Sequence, residues 1–142
     1  MQLDKFSDFA LRILIALAAH APDRLATSTI AQMYGISENH LSKIATQLAK
    51  NGFVVSERGR GGGLKLALPP SEIFIGEVLR ALKKDEPVAE CFGSNNSCKI
   101  LPACGLRGPL QAAQEAFFAT LDKTSLLTAT GSKERLKVLL EL

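Results

Sequence analysis

The tetrapeptide YGIS constrains the fold most, because it separates two segments whose apolar residues recur with helical spacing. The segment before it predicts a short helix with Thr27 or Ser28 as its N-cap residue. Gly35 permits the left-handed backbone of a tight turn, and Ser37 is a favourable N-cap for a longer helix over residues 38–50. Two helices joined by such a turn predict a helix-turn-helix.

Helices and a hairpin are predicted on both sides of this pair. Apolar residues at helical spacing predict an amphipathic helix over about residues 3–20. Alternating apolar residues predict two strands, over residues 53–57 and 64–68, joined by the basic, glycine-rich sequence RGRGGG. Helical spacing returns over about residues 76–83 and again over about 106–122, before an amphipathic tail. The predicted fold is mainly α with a small β-hairpin, a winged helix-turn-helix followed by a long C-terminal helix.

The composition is compatible with one globular domain and a nucleic-acid partner. The chain has 142 residues, 46% of them hydrophobic, and a formal net charge of +3, which permits DNA binding without requiring it. No segment has the ~20 consecutive apolar residues of a transmembrane helix. The run ALRILIALAAHA is similar to a secretory signal, but Asp4, Asp8 and Arg12 oppose that interpretation. We therefore expect a cytoplasmic protein without a membrane partner.

The helix-turn-helix and the hairpin tip together predict a DNA-binding surface. A major groove about 12 Å wide accepts a helix, and Asn39 is suited to an adenine edge there, whereas Lys43 is suited to phosphates. Arg58 and Arg60 lie on a tip whose glycines permit close approach to the backbone or the minor groove. A solvated turn or an ordinary amphipathic helix would explain either element alone, but their succession favours DNA binding. The predicted DNA-binding residues are Ser28, Ser37, Asn39, His40, Lys43, Arg58, Arg60, Gly61, Gly62 and Lys65.

All three cysteines, Cys91, Cys98 and Cys104, lie in one segment rich in loop-forming residues. Thiols stay reduced in the cytosol, so they are better explained as ligands or reactive groups than as disulfides. Six and then five residues separate them, which is not the close pairing of a zinc ribbon. Thiolates at wider spacing can hold an iron–sulfur cluster. A zinc site completed by a non-cysteine ligand, or three free thiols, are the alternatives.

Five stretches of the sequence carry a resemblance to one family of bacterial regulators: MQLDKFSDFALRILI, YGISENHLSKIATQL, RGRGGGLKLALP, IGEVLRAL and CKILPACGLRGPLQAAQEAFFATLD. From Met1 to about Leu126 the chain resembles the winged-helix iron–sulfur regulators that include IscR, RirA and NsrR. It is most similar to the NsrR-like nitric-oxide-sensing repressors. IscR-like members have a histidine ligand three residues after the third cysteine, where this sequence has Arg107, which cannot bind a metal. An RirA-like iron sensor, which shares the three cysteines, is the alternative.

The resemblance implies a cofactor, its ligands and a signal. The cofactor would be an iron–sulfur cluster, 4Fe–4S in the form usually considered active or else 2Fe–2S, bound by Cys91, Cys98 and Cys104. An acidic residue on the first helix of the other subunit would supply the fourth ligand, and Asp8 matches that position. Arg12, four residues further on, offers Asp8 an ordinary helical ion pair instead. Attack of nitric oxide on the cluster would lift repression of nitric-oxide detoxification genes.

The resemblance also implies a homodimer that binds double-stranded operator DNA with inverted half-sites. The expected organisation is a winged helix-turn-helix over residues 1–83, a cysteine segment over 84–105, a dimerisation helix over 106–126 and a tail over 127–142. An enzyme or an electron carrier that uses the cluster for redox chemistry is a second class of hypothesis. Against it, the sequence has no phosphate-binding loop beside a βαβ unit and no nucleophile–base arrangement. A DNA-binding module stabilised by zinc is a further alternative.

Overall fold

Helix α1, Lys5–His20, is the centre of the fold in the computed structural model, which describes residues 3–83 and 86–142. Asp4 caps its first turn, because a carboxylate oxygen accepts the backbone N–H of Ser7 at 3.0 Å. Later helices and the hairpin contact α1 from several sides, so most of its C-terminal half is buried. Many of these buried residues are alanines, whose small side chains let the neighbouring elements approach closely.

The helix-turn-helix consists of α2, Thr27–Tyr34, and α3, Glu38–Lys50. Gly35 ends α2 with a φ of +61°, a backbone conformation that glycine adopts readily. Ser37 caps α3 as predicted, since its hydroxyl oxygen accepts the backbone N–H of His40 at 3.2 Å. The bounds of both helices agree with the sequence prediction.

The predicted N-cap of α2 is wrong, because Ala26 and not Thr27 or Ser28 occupies that position, and no side chain caps the helix. The reason lies in the residue before it. Leu25 forms a β-bridge with Leu64, with backbone hydrogen bonds of 2.9 and 2.8 Å in the two directions. This bridge fixes where the chain enters α2 and places its start directly afterwards.

The hairpin consists of the antiparallel strands β1, Val54–Glu57, and β2, Gly63–Leu66. Both strands are shorter than predicted. Val54 pairs with Leu66, so β2 has no further partner strand beyond this point, and Leu68 is 43% exposed instead of continuing the ladder. A single 3₁₀ turn, Pro70–Glu72, follows and leads the chain to the next helix.

Helices α4, Ile75–Lys83, and α5, Arg107–Leu121, pack against each other. Arg80 links them, because its guanidinium donates to Glu115 at 2.6 Å and to Asp122 at 2.8 Å. These two acceptors raise the pKa of Arg80 above its ordinary value. The segment between the two helices carries the cysteines.

The end of the chain is folded and belongs to the core. Helices α6, Leu126–Thr130, and α7, Lys133–Leu139, both pack on α1, where the sequence predicted an amphipathic tail. The side chain of Leu126 is fully buried, and its backbone N–H donates to the carbonyl oxygen of Ile73 at 2.7 Å. The Lys133 ammonium donates to a carbonyl oxygen at the end of α1.

The mainly helical architecture with one hairpin confirms the predicted fold class. Within the part of the chain that the structure describes, no helix combines the length and the apolar character that a membrane span requires.

Candidate DNA-binding surface and cysteine loop

Helix α3, the second helix of the helix-turn-helix, has one buried side and one exposed side. Leu41, Ile44 and Leu48 are fully buried against the core. The opposite side presents exposed polar side chains with one basic residue near the N-terminal half, and its members are Asn39, Ser42, Lys43, Thr46 and Gln47. A surface of this kind can face base edges and phosphates in a major groove.

His40 lies between these two sides. Its ring packs edge-on against Phe9, with 5.7 Å between ring centroids, and lies 6.4 Å from the ring of Phe6. The imidazole is therefore half-buried against α1 and is less accessible to a DNA partner than the side chains of Asn39 and Lys43. A DNA contact through His40 stays a prediction.

The wing places Arg58 and Arg60 at an exposed tip. Gly59 and Gly61 both have positive φ, at +94° and +77°, so the tip turns back tightly before β2. Next to it, the first residue of β2 lies so close to the α1–α2 connection that only glycine fits. A Cβ on Gly63 would lie 2.3 Å from the carbonyl oxygen of Leu25.

The base of the wing is fixed by an ion pair that sequence reasoning missed. Arg24, in the connection between α1 and α2, donates through both terminal nitrogens to the carboxylate of Glu57 at the end of β1. Their separation along the chain left no local signal for this pair. An open groove runs between the wing and the helix-turn-helix, lined on the helical side by Ser28 and Ser42. The remaining predicted DNA-binding residues lie at the start of α3, in the case of Ser37, and in the wing, with Gly62 in its tip and Lys65 in β2.

Residues 86–106 form the cysteine loop, which connects α4 to α5 and contains two single 3₁₀ turns. Cys91 lies in the first turn, Glu90–Phe92, and Cys104 directly follows the second, Leu101–Ala103. Cys98 lies between the two turns. All three cysteines are free and half-buried, so the thiols are chemically available as ligands.

The described residues contain no group of three or more histidine, cysteine, aspartate or glutamate side chains gathered as a metal site. The three thiols and Asp8 are therefore not a ready ligand set within one chain. The chemistry of the donors still fits an iron–sulfur cluster, because such clusters are held by thiolates supplied from one loop.

Asp8 forms the helical ion pair that its spacing to Arg12 predicted as the alternative. Arg12 donates from Nε to one carboxylate oxygen at 3.0 Å and from a terminal nitrogen to the other at 2.7 Å. This contact raises the pKa of Arg12. Both side chains are substantially exposed, so opening the pair requires little free energy.

The start of α1 is bonded to the entrance of the cysteine loop. The Lys83 ammonium, at the end of α4, lies 2.7 Å from a carboxylate oxygen of Asp4 and also pairs with Glu86. Partial burial opposes ionisation of Asp4, but the hydrogen bonds from Lys83 and Ser7 outweigh it and lower the pKa of Asp4 to about 2.

Helix α5 presents a largely uncovered surface. Phe118 is its only buried residue, and Arg80 lies over that ring at 4.8 Å from the centroid. Near its N-terminus, Ile100 and Leu106 are 64% and 66% exposed, and Leu110 continues the apolar surface along the helix. Leu106 and Leu110 lie one helical turn apart, and exposed apolar neighbours of this kind are typical of protein–protein contacts.

Residues 3–130 match the family described as "Rrf2: Iron-dependent Transcriptional regulator". The chain belongs to the Rrf2 family. It is 43% identical to the HTH-type transcriptional regulator NsrR of Bacillus subtilis (strain 168), covering 100% of this chain and 99% of that relative. The NsrR of Geobacillus kaustophilus (strain HTA426) is 39% identical, covering 99% of this chain and 97% of that relative.

Solved structures have the same fold. CymR, the global cysteine regulator of B. subtilis, superposes with a TM-score of 0.65 at 25% identity, over 92% of this Rrf2 chain and 96% of CymR. T. potens IscR superposes with a TM-score of 0.71 at 23% identity, over 91% and 85% of the two chains. Membership of the Rrf2 family confirms that the chain is a DNA-binding transcription regulator and not an enzyme.

Proposed function

We propose that this Rrf2 protein is an NsrR-like repressor that binds an iron–sulfur cluster and releases DNA in response to nitric oxide. The observation that carries the proposal is the presence of three free, half-buried thiols in one loop beside a winged helix-turn-helix. The full-length similarity to regulators named NsrR supports the choice of signal. Its place of action is the cytoplasm.

DNA binding uses the exposed side of α3 and the wing. Asn39 reads a base edge in the major groove, and Lys43 contacts phosphate. Arg58 and Arg60 extend the contact to the flanking backbone or minor groove. A two-fold dimer presents two such surfaces to inverted half-sites about 34 Å apart along the duplex.

The dimer forms through α5. Ile100, Leu106 and Leu110 are exposed in the single chain. A second copy of α5 would bury them, and a two-fold interface requires only that this surface be self-complementary. As the resemblance to NsrR-like regulators implies, the same association would bring the start of α1 in one subunit close to the cysteine loop of the other.

Cys91, Cys98 and Cys104 would hold the cluster, most simply a 4Fe–4S form with 2Fe–2S as the alternative. A bound cluster supplies iron that reacts with nitric oxide. Asp8 of the partner subunit would supply the fourth ligand once its pair with Arg12 opens. That pair is exposed, so it would oppose ligation only weakly.

The chain's own contacts connect this ligand set to DNA binding. Lys83 bridges Asp4 at the start of α1 and Glu86 at the entrance of the cysteine loop. Helix α1 also packs directly on α3. A change in how the loop holds the start of α1 therefore shifts the angle between two recognition helices. A ~100-fold loss of operator affinity requires a difference of only ~2.7 kcal/mol between the two states.

The test combines an anaerobic absorption spectrum with operator binding, each titrated with nitric oxide. We expect a visible band that bleaches as DNA is released, and we expect Cys98→Ala to lose both the band and tight operator binding. Ser94→Ala, in the same loop, is the control and retains both. Operator binding by Cys98→Ala that is as tight as that of the cluster-loaded parent would refute the proposal.

An iron sensor is the second candidate, because the matching family is described as iron-dependent. It predicts a visible band that ignores low nitric oxide but disappears on iron chelation, with DNA release following chelation. A colourless protein that carries zinc under anaerobic conditions would exclude both sensors and leave a zinc-stabilised DNA-binding module.

A further inference from the structure

The cysteine loop contains an acidic residue with no part in the proposed ligand set. Glu90 directly precedes Cys91, and its Oε1 accepts two hydrogen bonds from Ser97, which directly precedes Cys98. The donors are the Ser97 backbone N–H at 2.9 Å and the Ser97 hydroxyl at 2.8 Å. This contact joins the neighbours of the first two cysteines and closes the segment between them.

A second contact joins the residue after the first cysteine to the start of α5. Arg107, the first residue of α5, lies three positions after Cys104, and its guanidinium carbon is 5.4 Å from the centroid of the Phe92 ring. Phe92 directly follows Cys91. Stacking of a guanidinium on an aromatic ring is favourable without any metal present.

Backbone hydrogen bonds complete the path between the second and third cysteines. The N–H of Leu101 donates to the carbonyl oxygen of Cys98 at 3.2 Å, and the N–H of Cys104 donates to the carbonyl oxygen of Leu101 at 3.4 Å. Short-range contacts therefore restrict the loop on both sides of Cys98 and between the neighbours of Cys91 and the start of α5.

We propose that Glu90 and Arg107 are positioning residues that restrict the conformations of the cysteine loop, so that the three thiols, which are not gathered in one chain, rearrange less when they converge on a ligand. Ordering a glycine-, serine- and asparagine-rich loop loses conformational entropy, and a loop ordered before binding loses less when the ligand enters. Two hydrogen bonds accepted by a charged carboxylate hold the segment more strongly than hydrogen bonds between neutral groups would. The inference rests on the proposed function only for the identity of the ligand.

The test measures the effective concentration of one thiol at another in metal-free protein. In a Cys104→Ser background, Cys91 and Cys98 form one disulfide while one glutathione disulfide is reduced to two molecules of glutathione. At half-conversion, the square of the glutathione concentration divided by the concentration of glutathione disulfide gives the effective concentration. Glu90→Ala should lower it roughly 3- to 10-fold, and Glu90→Gln, which keeps an oxygen acceptor, should lower it less.

Matched variants separate positioning from a general disturbance of the loop. Ser97→Ala removes one of the two donors and should give a smaller decrease, whereas Ser94→Ala should leave the effective concentration unchanged. The same assay on Cys91 and Cys104, in a Cys98→Ser background, tests the role of Arg107. Arg107→Ala should lower the effective concentration, and Lys99→Ala is the control. Circular dichroism establishes that each variant is folded. If Glu90→Ala does not fold, the comparison of Ser97→Ala with Ser94→Ala tests the proposal instead.

Equal effective concentrations in Glu90→Ala and its parent would overturn the proposal. Anaerobic loading of the unsubstituted protein with iron and sulfide separates this outcome from failure of the proposed function. If the unsubstituted protein takes no cluster, but Glu90→Ala still lowers the effective concentration of the thiols, the iron–sulfur function is refuted and positioning is supported. If the unsubstituted protein takes a cluster, but Glu90→Ala leaves the effective concentration unchanged, positioning alone is refuted.

Discussion

At the scale of single residues, α3 divides its polar side chains between two environments. Asn39 and Lys43 are exposed, whereas His40 packs against the rings of Phe6 and Phe9 on α1. A substitution at Asn39 should therefore act on DNA contacts alone, while one at His40 should also disturb packing. The distinction depends on burial and not on residue type, since all three are polar.

Asn39→Ala should weaken binding to the cognate operator by about 1–3 kcal/mol, because a bidentate contact with an adenine is lost. Affinity for operators changed at that base pair should fall less. Lys43→Ala should instead weaken binding to every duplex and reduce the salt dependence by about one phosphate contact. Fluorescence anisotropy over a series of salt concentrations checks both. An equal loss on all sequences for Asn39→Ala would show that it makes no base contact.

At the scale of elements, the wing packs on α1 and α3 and is also attached to the α1–α2 connection at two points. Leu25 pairs with Leu64 through backbone hydrogen bonds, and Arg24 pairs with Glu57 through side chains. The wing carries Arg58 immediately after Glu57, so the ion pair fixes the direction in which the arginine-bearing tip leaves the sheet. Both attachments lie on the same side of the hairpin as the α1–α2 connection.

A double-mutant cycle of Arg24→Ala and Glu57→Ala should give a coupling of about 0.2–1 kcal/mol in the free energy of unfolding, the range of exposed ion pairs. The coupling should decrease at about 1 M salt, where such pairs are screened. Urea denaturation at one fixed protein concentration measures it. The pairing of Arg24→Ala with Glu72→Ala, an acidic residue outside the wing, is the control and should show additive effects. Additivity in the first cycle would contradict the attachment.

At the scale of the whole molecule, α1 connects the sites. It packs on α3 and on the two C-terminal helices, and its N-terminal cap Asp4 bonds to Lys83 at the entrance of the cysteine loop. One helix therefore touches the DNA-binding surface, the core and the segment next to the thiols. In the proposed function, this arrangement would carry a change at the loop to the DNA-binding surface.

The bridge through Asp4 predicts a dependence of stability on acid pH. The pKa of Asp4 in the folded protein, about 2, lies below its ordinary value of 3.8, so its contribution to stability is present above about pH 4 and is lost as pH falls toward 2. Asp4→Asn keeps the oxygen that caps α1 but removes the charge. It should be less stable than the parent at pH 7, and the difference should shrink below pH 4 in urea titrations. Asp23→Asn is the control; a difference for Asp4→Asn that does not change with pH would contradict the bridge.

The surface of α5 predicts the oligomeric state. Leu106→Glu places a charge at an exposed apolar position of the proposed dimer contact, so it should shift the protein toward monomers in sedimentation velocity. Affinity for a full operator should fall, while affinity for an isolated half-site should change little. Leu127→Glu, on α6, is also at an exposed leucine and should leave the dimer intact. A dimer unaffected by Leu106→Glu would place the contact elsewhere.

Local interactions made most of the elements predictable. The helices around Gly35 and Ser37 agree with the sequence because a turn glycine, a capping serine and the spacing of apolar residues act within a few positions. The pair of Asp8 and Arg12 was foreseen as an alternative for the same reason, being one helical turn apart. The N-cap of α2 was not predicted, because the chain's path at Leu25 is set by its β-bridge to the hairpin and not by adjacent residues.

The sequence by itself therefore determined the order of the elements, the turn, the basic wing tip and the gathering of the three thiols in one segment. Only the tertiary structure decided which residues meet across the chain. It set the pairing of Arg24 with Glu57, the position of His40 against α1 and the docking of α6 and α7, where only a tail was predicted. Helical spacing and capping are properties of adjacent residues, whereas these contacts depend on how distant elements pack around one core.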